Sequence, residues 1–201
     1  MAIKFQYNKT SLNDMDKQLK MRTRALPTIK SKESALRLEV KKAKDEAEEY
    51  AGRLEALIAR YDYMVALWGE FDPELIRVAD VRMNVSKIAG VRLPVLDEVV
   101  FEEKPYDLFS SPAWIADGVR VLKELARLGL EREFMTRRAE LLDHARKKTT
   151  QKVNLYEKVQ IPGYQEAILK IKRFLEDEEN LSKSSQKIVK NRQEQQNREK
   201  L

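Results

Sequence analysis

From Leu12 to Trp68 the chain repeats with a period of seven. One series runs Leu12, Leu19, Leu26, Glu33, Val40, Ala47, Leu54, Tyr61, Trp68; the other runs Met15, Arg22, Ile29, Leu36, Ala43, Tyr50, Leu57, Met64. Only Glu33 and Arg22 interrupt the pattern. A strict heptad averages 3.5 residues per turn, so two helices carrying it must supercoil left-handedly to keep their apolar seams together. The repeat therefore predicts a long coiled coil. A rod of that kind encloses no pocket, which favours mechanical or adaptor functions over enzymatic ones.

Composition agrees with long helices. Of 201 residues 36% are charged, and there are only six Gly and six Pro. The expected organisation is one elongated, mainly α-helical domain covering residues 1–201: helix 1 over about 8–70, a small head over 71–111, helix 2 over 112–195 and a frayed tail over 196–201. No stretch approaches the ~18 apolar residues of a spanning helix, and Met1-Ala2-Ile3-Lys4-Phe5 lacks the apolar run of a secretory signal, so a cytosolic setting is expected. The absence of Cys removes disulfides, thiolate catalysis and Cys-based metal sites.

The net charge of +6 is unevenly placed. Residues 1–32 carry +6, residues 183–201 carry +4, and the stretch between carries −4. If the halves fold back antiparallel, both basic ends meet in one tip, with Lys4, Lys9 and Lys17 from one side and Lys183, Lys187 and Lys190 from the other. Such a tip would seek an acidic or carbonyl-rich partner.

The turn signals support that fold-back. Gly69 and Pro73 suit the end of helix 1, and Asp72-Pro73 suits the cap of a short helix through Leu75 and Ile76. The period then changes to two: Val81, Met83 and Val85, a break at Ala89-Gly90, then Val91, Leu93 and Val95, which reads as a β-hairpin over about 81–96. Pro94 suits an edge position, and Val99-Val100-Phe101 adds a third extended piece. Ser110-Ser111-Pro112 supplies a helix start, and helical spacing resumes through Ile161, Ile168 and Leu175 and through Phe174, Leu181 and Ile188. Helix 2 is the longer and should overhang its partner. Pro27 and Pro162 each remove an intrahelical bond and are expected to kink their helices, at similar heights if facing residue numbers sum to about 180.

No residue pattern points to catalysis. His144, the only histidine, sits mid-helix and reads as a surface or seam imidazole rather than a metal ligand. Glu176-Asp177-Glu178-Glu179 reads as a solvated face, and no phosphate-binding, dinucleotide, zinc-protease or nucleophile-elbow motif occurs. No cofactor or metal is expected. Trp68 and Trp114 read as core of the head. A pI near 9.3 raises nucleic-acid binding, but acidic residues are nearly as numerous as basic ones and no binding signature appears. A membrane-surface helix fits still less, because the seam demands a protein partner along its length and the exposed faces mix both signs.

Three stretches carry a family resemblance. The segment Leu19-Lys20-Met21-Arg22 through Leu36 resembles the first helix of the D subunits of V-type (V/A-type) rotary ATPases, where an apolar-Lys-x-Lys-x-x-x-Leu pattern recurs. The segment Thr149 through Pro162, containing Val153-Asn154-Leu155-Tyr156-Glu157 and Ile161-Pro162, is similar to that family's Arg-Val-Asn-Ala-Leu-Glu and Ile-Pro signature. Gly90-Val91-Arg92-Leu93-Pro94 is similar to its central Gly-Val-x-x-Pro element. The chain departs from the family at Pro27 and at Leu155-Tyr156.

The resemblance implies a long antiparallel two-helix coiled coil with a hairpin head, acting as the central rotor shaft and not itself an enzyme. The paired termini would enter the hexamer of A and B subunits, with Lys4, Lys9, Lys17, Lys183, Lys187 and Lys190 as its bearing. The other end would engage the rotor's F subunit and the funnel-shaped component that couples to the membrane ring, with Val81, Met83, Val85, Val91, Leu93 and Val95 facing the F subunit. The implied location is the cytoplasmic face of a membrane-attached complex. Two other readings fit the layout: a static coiled-coil adaptor and, less well, a nucleic-acid-binding coiled coil.

Overall fold

The computed structural model describes residues 3–107 and 111–198. Helix α1 spans Lys9–Arg60; three short 3-10 turns follow, over Asp62–Met64, Leu67–Glu70 and Pro73–Leu75. Strands β1 (Ile76–Ile88) and β2 (Val91–Glu103) form one antiparallel hairpin. Helix α2 (Trp114–Asn154) passes through a π-turn at Leu155–Gln160 into α3 (Ile161–Arg198). The chain divides into two units, residues 32–149 and residues 1–31 with 150–201.

In the first unit, the α1 heptad residues Leu36, Val40 and Ala43 meet Ala139 and Leu142 of α2 in one core. The hairpin completes it: Leu93 is fully buried against these helices, with Ile88, Ala89 and Val91 packed around it. Burying a leucine side chain is worth roughly 1.5–3 kcal/mol, so Leu93 is a substantial anchor for a two-stranded sheet that would be marginal alone. A second cluster joins Leu75 to Ile115 and Val119. Beside it Trp68, Phe71 and Trp114 stack edgewise or tilted, with ring centroids 5.5–6.0 Å apart.

The hairpin is longer than the period-two pattern alone suggests, and Val99-Val100-Phe101 is part of β2 rather than a third piece. Its two-residue turn has Ala89 at φ 48° and Gly90 at φ 80°, the left-handed pair that matches strand twist. Two bulges interrupt the ladder, one at Ala79 in β1 and one at Asp97 in β2. α1 stops at Arg60 although the heptad continues to Trp68, because the backbone tightens: Tyr61 N–H donates to the Ile58 carbonyl and Met64 N–H to that of Tyr61, and the chain begins its turn. α2 starts at Trp114, two residues after Pro112, so Ser111 and Pro112 precede the helix rather than capping and opening it; Ser110 lies outside the described residues.

In the second unit, the α1 residues up to 31 lie antiparallel to the chain that follows residue 150. Arg22 meets Gln160, Lys30 pairs with Glu157 at 2.7 Å, and Tyr7 meets the ring of Phe174 at 4.8 Å. Helix α1 continues unbroken through Pro27. Pro162 behaves differently: the π-turn directly precedes it, and Ile161 N–H donates five residues back to Tyr156. α3 reaches Arg198, so only residues 199–201 of the expected tail remain, and they lie outside the described residues.

Candidate partner-binding surfaces

Strand register decides which hairpin residues are available. Leu93 pairs with Ser86 and Val91 with Ile88, and paired residues share a face. That face is the inward one: Leu93 is fully buried, Val91 packs on the core, and Val95 lines a small cavity of about 120 Å³ with Tyr50, Phe134 and Met135. Val85 pairs with Pro94 and Met83 with Leu96 on the other face, leaving Val85 69% and Met83 63% exposed. Val81 is half-buried.

The two apolar series of the hairpin are therefore not one surface. Alternation in β1 leaves open which face is inward; docking of β2 through Leu93 turns the Ser86 face inward and leaves Met83 and Val85 outside. One consequence is an energetic defect, since the Ser86 hydroxyl is buried without a hydrogen-bond partner. Leu93 serves the chain's own core and offers no side chain to a partner.

Lys4, Lys9 and Lys17 are exposed, as are Lys183, Lys187 and Lys190. Lys183 bonds Glu179 at 2.7 Å, and this contact holds the Glu179 carboxyl below its ordinary pKa. Lys190 approaches Glu194 at 4.0 Å. Between these cations α3 presents an apolar stripe at seven-residue spacing, with Leu181 69% and Ile188 59% exposed. Further back along α3, Ala167, Ile168 and Ile171 are buried. The seam thus closes up to about Leu175 and lies open beyond, as the expected overhang requires.

A polar cluster absent from the expectations surrounds Arg22, one of the two heptad breakers. Its Nε donates to Gln160 Oε1 at 2.6 Å, and its Nη1 donates to the Gln18 carbonyl at 3.2 Å and to Gln18 Oε1. The guanidinium lies 5.8 Å from the Tyr156 ring centroid and 4.7 Å from that of Tyr164, both cation–π distances. The available signal was a phase mismatch between Val153, Tyr156 and Gln160 before Pro162 and Ile168, Ile171 and Leu175 after it. Glu33, the other breaker, pairs with Arg37 at 2.9 Å.

The remaining features are structural. Trp68 and Phe71, with Ile76, Val78, Phe101 and Leu122, line an apolar groove of about 490 Å³. His144 and Glu176 through Glu179 are exposed, and among the described residues no group of three or more His, Asp or Glu side chains is placed to hold a metal. No helix among the described residues is long and apolar enough to cross a membrane.

Comparison with known proteins agrees with this architecture. The family model of the ATP synthase D subunit matches residues 11–191. The V-type ATP synthase D subunit of Borreliella burgdorferi is 31% identical over 187 residues, covering 90% of this chain and 93% of its own. The protein of the same name from Chlamydia muridarum is 28% identical over 182 residues, covering 88% of this chain and 90% of its own. A match of this extent, across both helices and the hairpin, places the chain in the D-subunit family of V-type ATP synthases.

Proposed function

We propose that this protein is the central rotor shaft of a V-type ATP synthase, transmitting torque between the nucleotide-binding hexamer and an ion-carrying membrane ring without catalysing a reaction itself. Family membership over residues 11–191 carries the reading. The physical features suit it: helices paired antiparallel resist twisting, and the exposed distal part of α3 leaves apolar and basic side chains free for surrounding subunits. Lys4, Lys9, Lys17, Lys183, Lys187 and Lys190 form a diffuse bearing for the A and B subunits. Screened, exposed charges are each worth about 0–1 kcal/mol, so none creates a deep trap during rotation. The F subunit binds the outward hairpin face at Met83 and Val85, with Val81 at its margin, and the funnel-shaped component binds beyond it.

The absence of Cys allows a single reactive site to be introduced without removing others. A bead attached at Tyr63→Cys, a position 76% exposed, should rotate in one direction when ATP is supplied to an immobilised hexamer carrying the chain. Continued hydrolysis with a stationary bead would indicate a static adaptor. Lys183→Ala and Lys190→Ala should change ATP turnover little, whereas truncation from Ser182 should reduce rotor retention more than hydrolysis. Met83→Asp with Val85→Asp should weaken binding of the F subunit while leaving the Leu93 core in place; deletion of residues 81–95 would remove that core as well.

A further inference from the structure

Up to residue 31, helix α1 keeps one seam phase, with Leu19, Arg22, Leu26 and Ile29 all half-buried. The helix running against it does not. Val153, Tyr156 and Gln160 follow one heptad phase, while Tyr164, Ile168, Ile171 and Leu175 follow another that is displaced by a single residue. One residue of α-helix is about 100° of rotation, so an uninterrupted helix would swing Ile168 and Ile171 out of the seam. The π-turn at Leu155–Gln160 absorbs the extra residue, because a turn closed five residues back holds one more residue than a turn closed four back. Pro162 bounds it on the C-terminal side, having no N–H to donate. On the N-terminal side the backbone supplies no comparable stop.

We propose that Arg22 is that stop: a positioning residue that locks the extra residue within 155–160 and thereby sets the rotational phase of α3. Its contacts sample the π-turn from both sides. Gln160, the last residue of the turn, accepts from Nε; Tyr156 within it and Tyr164 beyond it flank the guanidinium. If the extra residue moved one turn toward the N-terminus, Tyr156 and Gln160 would rotate by about 100° and leave Arg22 without either. An apolar residue, which the heptad calls for at this position, would fill the seam without distinguishing the two phases. A planar, five-donor guanidinium distinguishes them because its partners must lie in fixed directions.

This lock is independent of the rotor reading, since every readout is made on the isolated full-length chain. The test is a double-variant cycle of Arg22→Leu with deletion of Lys158, followed by amide exchange mass spectrometry and thermal melting. Arg22→Leu should raise exchange of amides 153–160 by about tenfold or more, leaving amides 36–43 unaffected. Deletion of Lys158 alone removes the extra residue but brings Ile161 opposite Arg22, and should lower the melting midpoint. Combined, the two changes leave an uninterrupted heptad on both helices where residues 12–31 meet the chain after residue 150, so the double variant should melt above either single variant and exchange more slowly than Arg22→Leu. Gln160→Ala, which keeps the chain length, should raise exchange in the same segment. Additive effects of the two changes would overturn the proposal, as would unchanged protection of 153–160 in both Arg22→Leu and Gln160→Ala.

Discussion

Residues 32–149 and residues 1–31 with 150–195 use the same α1 heptad to different ends. In the former, a hairpin lies over the helix pair, and Leu36, Leu93, Leu142 and Val121 are buried almost completely. In the latter no strand covers the two helices among the described residues, and burial shrinks to one stripe at Ala167, Ile168 and Ile171. Two cylinders touch along a line and leave the flanks of every seam residue wet; a third layer covers one flank and converts the line into a core. The uncovered pair can accommodate a charged seam residue such as Arg22, half in water and half against tyrosine rings. Next to the hairpin the same heptad series is apolar at Leu36 and Ala43, and the charged breaker Glu33 is held by Arg37 on its own helix.

The largest effects should come from removing the layer that distinguishes the regions. Leu93→Ala should cost about 2–5 kcal/mol by opening a cavity among Leu36, Val40 and Leu142, read as a lower denaturation midpoint with loss of exchange protection along the hairpin. Ile171→Ala, at a fully buried side chain of the two-helix region, should cost about 2–4 kcal/mol, whereas Ile188→Ala, 59% exposed on the same helix, should stay within about 0.5 kcal/mol. Equal losses at the two isoleucines would mean that the open end of α3 is packed in the isolated chain.

Smaller changes test how the hairpin was fitted onto the helices. Ser86→Ala should stabilise the protein by about 1 kcal/mol, because it removes a buried hydroxyl that has no partner. Ala89→Gly should be worth a few tenths to about 1 kcal/mol, since a residue with a Cβ sits at φ 48° there. Both are read from chemical denaturation midpoints. The smallest effect concerns Asp143, whose carboxyl is held below its ordinary pKa by hydrogen bonds from Lys147 and Arg146. Folding therefore favours its ionised form. The resulting stabilisation, about 0.5 kcal/mol for a partly exposed group, is full above the unfolded carboxylate range near pH 4 and lost as pH falls through the folded value. Asp143→Asn should lower the melting midpoint slightly at pH 7 and not at about pH 2.

Much of this architecture is legible before any coordinates. The heptad specifies α1 and its seam, because period 3.5 permits one packed arrangement of long helices. Gly90 between two alternating apolar series marks the hairpin turn, because glycine accepts the positive φ that a tight hairpin turn requires. The Val153 to Pro162 stretch pointed to the family that comparison over residues 11–191 establishes. The open stripe of Leu181 and Ile188 follows from unequal helix lengths.

Tertiary structure alone decided the rest. Alternation in β1 cannot say which face is inward, since a two-stranded sheet has two equivalent sides until something packs on one; Leu93 against Leu36 and Leu142 made that choice and buried Ser86. Nor does a proline in a helical stretch announce its remedy. Pro27 passes within an unbroken α1, whereas Pro162 follows a π-turn, because only the second helix carries an extra residue relative to its partner, and a phase difference between helices exists only once they are laid side by side. Local sequence set the period of each element; the faces and phases that meet depend on contacts between residues more than a hundred positions apart, such as Arg22 and Gln160.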